Sequence, residues 1–483
     1  MGKNKKIIKM LKSKDVVLHY GEKILSDFIP QKVIDNGQFF PLIYPEKLPV
    51  IKDIEKKLED ALEKPVGAQK PLSILIKENY RGGDLSIIVD DHDRPNIHTR
   101  LLLPYLVDLL LTTYHLPLTK IKVVIATGTH RPSTDEELKN ILGIQMFGKL
   151  NYVIHKCREN NVEAGKIDGL TVKINGTVFN SDIIIPLTDV ENHYFAGIAG
   201  GPKAICPGIC DMETITYEHL KMFGECGFAH NVDLGSIDGN PVFETKKKIV
   251  KAVIETLKKN KREVYTITSI IDTDGDLVHL SGGETFESHL RAAEILKNVW
   301  TVNIKERADI VISGASHWGV NLYQMGKATH CAYHAVKKGG IVLNVAPCEQ
   351  GWGNEEFKNL MKVGMNELNK TDDKCSPRFQ SGVSEANRIK QALVSVINAV
   401  KKDFKIGRQK PVDLFQILHF VGWGNLHIIQ DGIPEEDFKF LPFVFWGDKS
   451  EPVEKRLKSW LEKYLVGKTV AVVDNPNFLI KPV

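Results

Sequence analysis

The feature that most limits the fold of this chain is an apolar run that stops at a cluster of polar residues, repeated three times between residues 85 and 193. Residues 85–89 (Leu-Ser-Ile-Ile-Val) stop at Asp90-Asp91-His92-Asp93-Arg94-Pro95, and helical spacing follows over 99–114. Residues 121–126 stop at Thr127-Gly128-Thr129-His130-Arg131-Pro132, before a helix over 134–141 that Ser133 or Thr134 can cap. A third run, 182–186, leads into residues 189–193. Strand, polar loop and helix in that order is the rhythm of a parallel α/β sheet, whose ligand residues gather at the carboxyl ends of the strands. Arg94, His130 and His193 should therefore open on one sheet edge.

Residues 193–220, HYFAGIAGGPKAICPGICDMETITYEHL, cannot be regular helix through their middle. Gly197, Gly200, Gly201 and Gly208 give the backbone access to positive φ, and Pro202 and Pro207 fix it on either side of Lys203. The lysine is thus presented from a shaped loop. Asp211 is placed to cap a helix from Met212 to about Phe223, which carries His219 two turns in and turns its N-terminus, a ready anion site, toward the loop.

A chain of 483 residues, 42% hydrophobic and 26% charged, is long enough for two or three domains with sizeable cores. Its 64 basic and 60 acidic residues nearly balance, which argues against a nucleic-acid partner. The lysine-rich start, Lys3 to Lys14, lacks the apolar centre of a signal peptide, and no segment approaches the roughly 18 apolar residues that span a bilayer. Seven cysteines, an odd number, suggest free thiols in a reducing compartment, and the cytoplasm is the expected location. Cys206, Cys210, His219 and Cys226 could be read as a zinc cluster, but the first pair encloses Pro207-Gly208 and the set is no regular knuckle.

Residues 51–63 have the spacing of a covering helix. Further on, strands are expected at 262–272, 308–314, 340–345, 414–421 and 469–473, with helices at 287–298, 327–337 and 384–402. A hinge over 231–248, extendable through 246–261, would separate them from the first sheet. The expected division is an N-terminal α/β domain over 1–255, a second α/β domain over 256–465, and a tail over 466–483 for which a return to the first is the expectation.

Taken together, Asp91-His92-Asp93-Arg94-Pro95, Gly128-Thr129-His130-Arg131-Pro132, Asn192-His193, Gly200-Gly201-Pro202-Lys203, Pro207-Gly208, His219 and Tyr323-Gln324-x-x-Lys327 make an ordered set. In order and spacing it resembles the nickel-pincer lactate racemases and the wider group of 2-hydroxy-acid racemases and epimerases. The resemblance implies two α/β domains with mainly parallel sheets and an active-site cleft between them. It also implies a pyridinium mononucleotide cofactor carrying nickel in a sulfur-carbon-sulfur pincer, joined as a thioamide to Lys203, with His219 as a nickel ligand. His130 and His193 would be acid and base on either side of a 2-keto acid intermediate, the hydride going to the cofactor and back. Cofactor contacts would come from Asp91, His92, Asp93 and Arg94, and substrate contacts from Arg94, Gln324 and Lys327. Such a protein would depend on cofactor-synthesis proteins as partners.

The sequence departs from that pattern at Asp93, where the family often has Thr or Ser. A carboxylate there disfavours a simple anionic substrate unless it pairs with Arg94 or accepts from further hydroxyls, so a larger or polyhydroxylated 2-hydroxy acid is expected in place of lactate. His98, His317, His330 and His334 have no motif behind them and read as structural or surface groups, as does His92 taken alone. A nicotinamide-dependent dehydrogenase would need a G-x-G-x-x-G turn between strand and helix, which the chain lacks. A non-catalytic two-domain protein that closes on a small anion is the alternative from another class.

Overall fold

The computed structural model describes residues 11–370 and 384–483, so most of the basic stretch from Lys3 to Lys14 lies outside the described residues. The chain forms two compact units. A central unit takes Glu46–Met222 and His230–Trp300. A terminal unit takes the described residues up to Pro45, Phe223–Ala229 and those from Thr301 onward.

The strands of the central sheet are β1 (Leu85–Asp90), β2 (Ile121–Ala126), β3 (Asn151–Ile154), β4 (Ile183–Asp189), β5 (Thr266–Ile271) and β6 (Leu277–Gly283). They lie in the order β6-β5-β4-β1-β2-β3, and the short strand Glu263–Val264 also pairs with β4. All pairings are parallel except that of β5 with β6. Successive side chains point to opposite faces, so Ile87 and Val89 join a core beneath α1 (Ile97–Thr112) and α2 (Asp135–Leu142). Ile88, Val124 and Ile184 join a second core with Ile215 of α3 (Met212–His219) and with Ile249, Val250 and Val253 of α4 (Pro241–Lys259). Helix α5 (Thr285–Trp300) closes the unit.

The terminal sheet is wound the same way. Its strands β7 (Ala308–Gly314), β8 (Val336–Val345), β9 (Leu426–Ile429), β10 (Val444–Phe445) and β11 (Val470–Val473) lie in the order β10-β9-β8-β7-β11, all parallel. Helices α6 (Leu322–Ala335) and α7 (Gln409–Val421) belong to this unit.

Four expectations are corrected. The division falls near residue 300 and not at 255, because β5 pairs in parallel with β4, Ile267 opposite Leu187, and carries residues 256–300 into the first sheet. The residues before Pro45 and after 466 belong to the terminal unit: β11 pairs with β7, and the Phe40 N–H donates to Val470 O at 2.8 Å. The proposed hinge is mostly α4, whose Ile249, Val250, Val253 and Leu257 are buried. Finally, residues 414–421 are helix, not strand. A short apolar run fits a buried helix as well as a strand, and here α7 buries Val412, Leu414, Phe415, Ile417, Leu418 and Val421, while the strand comes later as β9.

Candidate active site

Strand β1 ends in Asp90, and the next residues fold back sharply: Asn96 takes φ 54° and its amide donates to Asp91 O at 2.7 Å and Arg94 O at 2.9 Å. This turn aims the buried Asp91 carboxylate at the loop after β2, where Oδ2 lies 2.7 Å from His130 Nδ1. A carboxylate can only accept there, so His130 carries a proton on Nδ1 and in its neutral form presents a lone pair at Nε2. Asp93 Oδ2 stands 3.5 Å from that Nε2. Burial alone would lower the His130 pKa, but the charge and hydrogen bond of Asp91, helped by Asp93, outweigh it and raise it above the ordinary value.

β1 and β4 are neighbours in the sheet although the chain visits β2 and β3 between them, which makes their carboxyl ends the switch point where open α/β sheets bind ligands. There Arg94 Nε meets Glu191 Oε1 at 3.0 Å. Burial raises Asp90 to about 6, against the opposing charges of Lys203 and Arg94. Burial, then Glu191, holds Asp189 well above the usual carboxylate range. Lys203 is pushed down to about 8 by burial and by Arg94, so a sizeable share of its amine is neutral near physiological pH.

The Lys203 loop rests on the end of β4. Gly201 N–H donates to Thr188 Oγ1 at 3.0 Å. Glycine is required at two positions: a Cβ on Gly200 (φ +80°) would come within 2.4 Å of Asp189 O, and one on Gly201 (φ +51°) within 2.7 Å of the His289 side chain. Beyond Lys203 the chain dives into the core through Ile205, Cys206, Ile209 and Cys210. Each buried isoleucine contributes roughly 1.5–3 kcal/mol to that anchorage. The cysteines are therefore core residues, and they join no metal-binding group with His219 among the described residues. Gly128 N–H donates to Gly208 O at 2.9 Å and ties the His130 loop to the Lys203 loop.

Asp211 caps α3 as its type and position require, accepting from Thr214 N–H at 3.2 Å. His219 ends that helix, shorter by a turn than expected, and its Nδ1 donates to Ile215 O at 3.1 Å. The neutral ring accordingly offers Nε2 as its lone-pair atom. Phe195 stands between two imidazoles, 5.3 Å from the His219 ring and 4.5 Å from that of His193. Asn240, the cap of α4, holds Phe195 in place by donating to its carbonyl at 3.0 Å. His193 Nδ1 accepts from Ala196 N–H at 3.2 Å, so the proton of this neutral ring sits on Nε2. His130 and His193 are thereby held as opposite tautomers.

Of the residues singled out by sequence, Asp91, His92, Asp93, Arg94, His130, His193, Lys203 and His219 all fall in the central unit. His92 is engaged by Ser133 Oγ, 2.9 Å from its Nδ1. Gln324 and Lys327 fall on α6 of the terminal unit, where the Gln324 N–H donates to Asn321 Oδ1 and Lys327 Nζ sits 3.2 Å from the Trp318 ring centre. Sequence reasoning missed Asp90, Asp189, Glu191, Glu218, Lys246 and His289. Glu191, two residues past the end of β4, could have been found from the strand-end rule. Asp90 and Asp189, the last residues of β1 and β4, were open to the same rule, whereas Glu218, Lys246 and His289 lie on helices that read as ordinary amphipathic ones, and only burial sets them apart.

These residues fit a group joined to Lys203 and holding a metal at His219. The amine is buried and its pKa depressed, neutral imidazole is a suitable nickel donor, and buried polar atoms without a hydrogen-bond partner, both oxygens of Glu218 and both ring nitrogens of His289, lie in the same cluster. Burial, with the charge of Lys246, lowers the His289 pKa to about 3, so that ring is neutral.

Comparison with known proteins gives a consistent pattern. Residues 29–229 match the family described as the lactate racemase N-terminal domain, and residues 303–401 the lactate racemase C-terminal domain. The lactate racemase of Thermoanaerobacterium thermosaccharolyticum is 29% identical over 316 residues, 64% of this chain and 69% of that protein. That of Lactiplantibacillus plantarum is 29% identical over 316 residues, 64% of this chain and 70% of that protein. Among solved structures, the lactate racemase apoprotein from T. thermosaccharolyticum superposes with a TM-score of 0.73 at 21% identity, covering 96% of this chain and 99% of that one. A Thermotoga maritima protein gives a TM-score of 0.61 at 16% identity, covering 91% of this chain and 100% of that one.

Proposed function

Because the chain belongs to the lactate racemase family and is thereby an isomerase, we propose that it inverts C2 of a 2-hydroxy acid by reversible hydride transfer through a 2-keto acid. The observation that carries this assignment is the pair of opposite tautomers at His130 and His193 on the sheet edge that also bears Lys203. A base must take the hydroxyl proton from one enantiomer, and an acid must return one to the ketone when the other forms. His130, with its lone pair at Nε2, is poised as the base, and His193, in its doubly protonated form, would give up the Nε2 proton as the acid and return to the neutral ring. The roles exchange in the reverse direction.

A nickel-pincer pyridinium mononucleotide held by Lys203 and His219 would supply the hydride acceptor, which no side chain can provide. Arg94, steadied by Glu191, orients the substrate carboxylate, and a guanidinium fork keeps that end fixed while C2 changes hand. Gln324 and Lys327 are assigned to substrate contact on the Tyr323-Gln324-x-x-Lys327 pattern alone. Asp93 lies beside the reacting atom of His130, where it can accept from a substrate hydroxyl beyond the one at C2. This supports a polyhydroxylated or larger acid over lactate. The six described cysteines are free thiols, which supports a reducing, cytoplasmic setting, and no helix among the described residues is long and apolar enough to cross a membrane.

The test is protein made together with cofactor-synthesis proteins, followed by intact mass, metal analysis and chiral chromatography of a panel of 2-hydroxy acids. The assignment expects a mass adduct that Lys203→Ala abolishes, nickel bound with it, racemisation without added nicotinamide, and faster turnover of polyhydroxylated acids than of lactate. An unmodified Lys203 in protein made beside active synthesis proteins, or turnover that needs added nicotinamide, would overturn it. Equal turnover of lactate and longer acids would remove the role of Asp93.

A further inference from the structure

Behind His219 lies an ion pair that nothing in the reaction uses. Glu218 and Lys246 have side chains only 1% exposed, and Lys246 Nζ stands 3.6 Å from Glu218 Oε1. Glu218 Oε2 approaches His219 Nδ1 to 2.6 Å, yet both oxygens lack a properly directed hydrogen bond, the Nδ1 proton going to Ile215 O. A buried ion pair is a poor source of stability, since the desolvation of two ions offsets most of their attraction, and this one is held at more than hydrogen-bond distance. Its position offers a better account. Histidines that bind metals usually give the other ring N–H to a carboxylate or a carbonyl, which fixes the ring and strengthens the donor nitrogen. His219 gives its N–H to a carbonyl of its own helix, and a carboxylate backed by α4 stands close behind the same nitrogen.

We propose that Glu218, held in place by Lys246, is a positioning residue that fixes the His219 imidazole for nickel, an inference that rests on the function proposed above. The negative charge behind Nδ1 strengthens Nε2 as a donor. Lys246 keeps the carboxylate turned toward α4 and off the metal. Lys203 also acts on Glu218 while its amine is charged, and once that nitrogen is part of an amide-like linkage Lys246 carries the countercharge.

The experiment compares wild type, Glu218→Gln and Lys246→Met, each made with the cofactor-synthesis proteins. It reads the Lys203 adduct by intact mass, nickel by metal analysis, and the rate of nickel loss to a chelator from the loaded protein. Both variants are expected to keep the adduct mass and to release nickel about 10- to 100-fold faster than wild type, the usual effect of losing an outer partner of a metal ligand. Nickel release at the wild-type rate from either folded, adduct-bearing variant, whatever its melting temperature, overturns the proposal. Glu218→Gln changes shape little, and Lys246→Met keeps the length of its side chain, so a folding failure in one leaves the other decisive. Wild type without an adduct would instead sink the assignment of function, and this inference with it.

Discussion

In the central unit the chain lays down β1, β2 and β3 in one direction and returns to the other side of β1 with β4, and in the terminal unit it lays down β7 to β10 and returns beside β7 with β11. Each winding leaves a crevice at the carboxyl ends where the direction reverses. Between β1 and β4 that crevice holds Asp90, Arg94, Glu191 and Lys203, and burial together with neighbouring charges displaces the pKa of Asp90 upward and that of Lys203 downward. Between β7 and β11 the carboxylate of Asp474 is taken up by His19, from both its backbone N–H and its ring, and presses against Gly314, where a Cβ would have no room. Winding alone therefore provides a place. Chemistry requires that charged groups there be left short of full satisfaction, and only the central crevice leaves them so.

The contrast breaks most sharply at Lys203. Lys203→Ala should remove the mass adduct and abolish turnover, and an active variant would show that the central crevice is no more specialised than the other. Next, His130→Ala and His193→Ala should each lower kcat/KM by about 10²–10⁴-fold, the range for a positioned acid or base. Racemisation followed from each enantiomer should show the same factor both ways, because one set of transition states serves both directions.

A finer effect should come from Asp91→Asn. Asp91 holds the His130 pKa above 6.5, so where His130 acts as the base, activity should rise with pH through a midpoint above that value. Loss of the carboxylate should move this midpoint to lower pH, and a profile that stays in place would detach Asp91 from His130. The smallest effect is expected in the terminal crevice. Asp474→Asn should cost about 1 kcal/mol of stability in thermal or urea unfolding, the scale of one partly exposed polar pair, with kcat/KM unchanged.

The first sheet was legible in the sequence because each of its central strands ends abruptly in polar residues, and Asp211 was legible as a cap because its side chain can reach the first-turn amides. The neighbour of each strand was not legible. Residues 266–271 look like a strand in either unit, and only their pairing with β4 settles which. Residues 414–421 have too short an apolar run to tell helix from strand, and the polar residues that start α7, Gln409 and Lys410, are themselves buried. For the site, glycine, proline and histidine spacing marked the loop. Glu218 and Lys246 could not be told from surface residues, since their meaning comes from α4 packing behind α3.

Segments far apart in the sequence complete the terminal unit: Val16, Leu18 and Val33 share a core with Leu457, Trp460 and Val470. During synthesis the opening segment leaves the ribosome long before the strand it must lie on has been made, whereas the central sheet has all its strands once Gly283 has emerged. The nascent chain thus carries those apolar residues unsheltered while the central unit is already able to fold, and chaperone demand should follow the time taken to translate from β6 to β11.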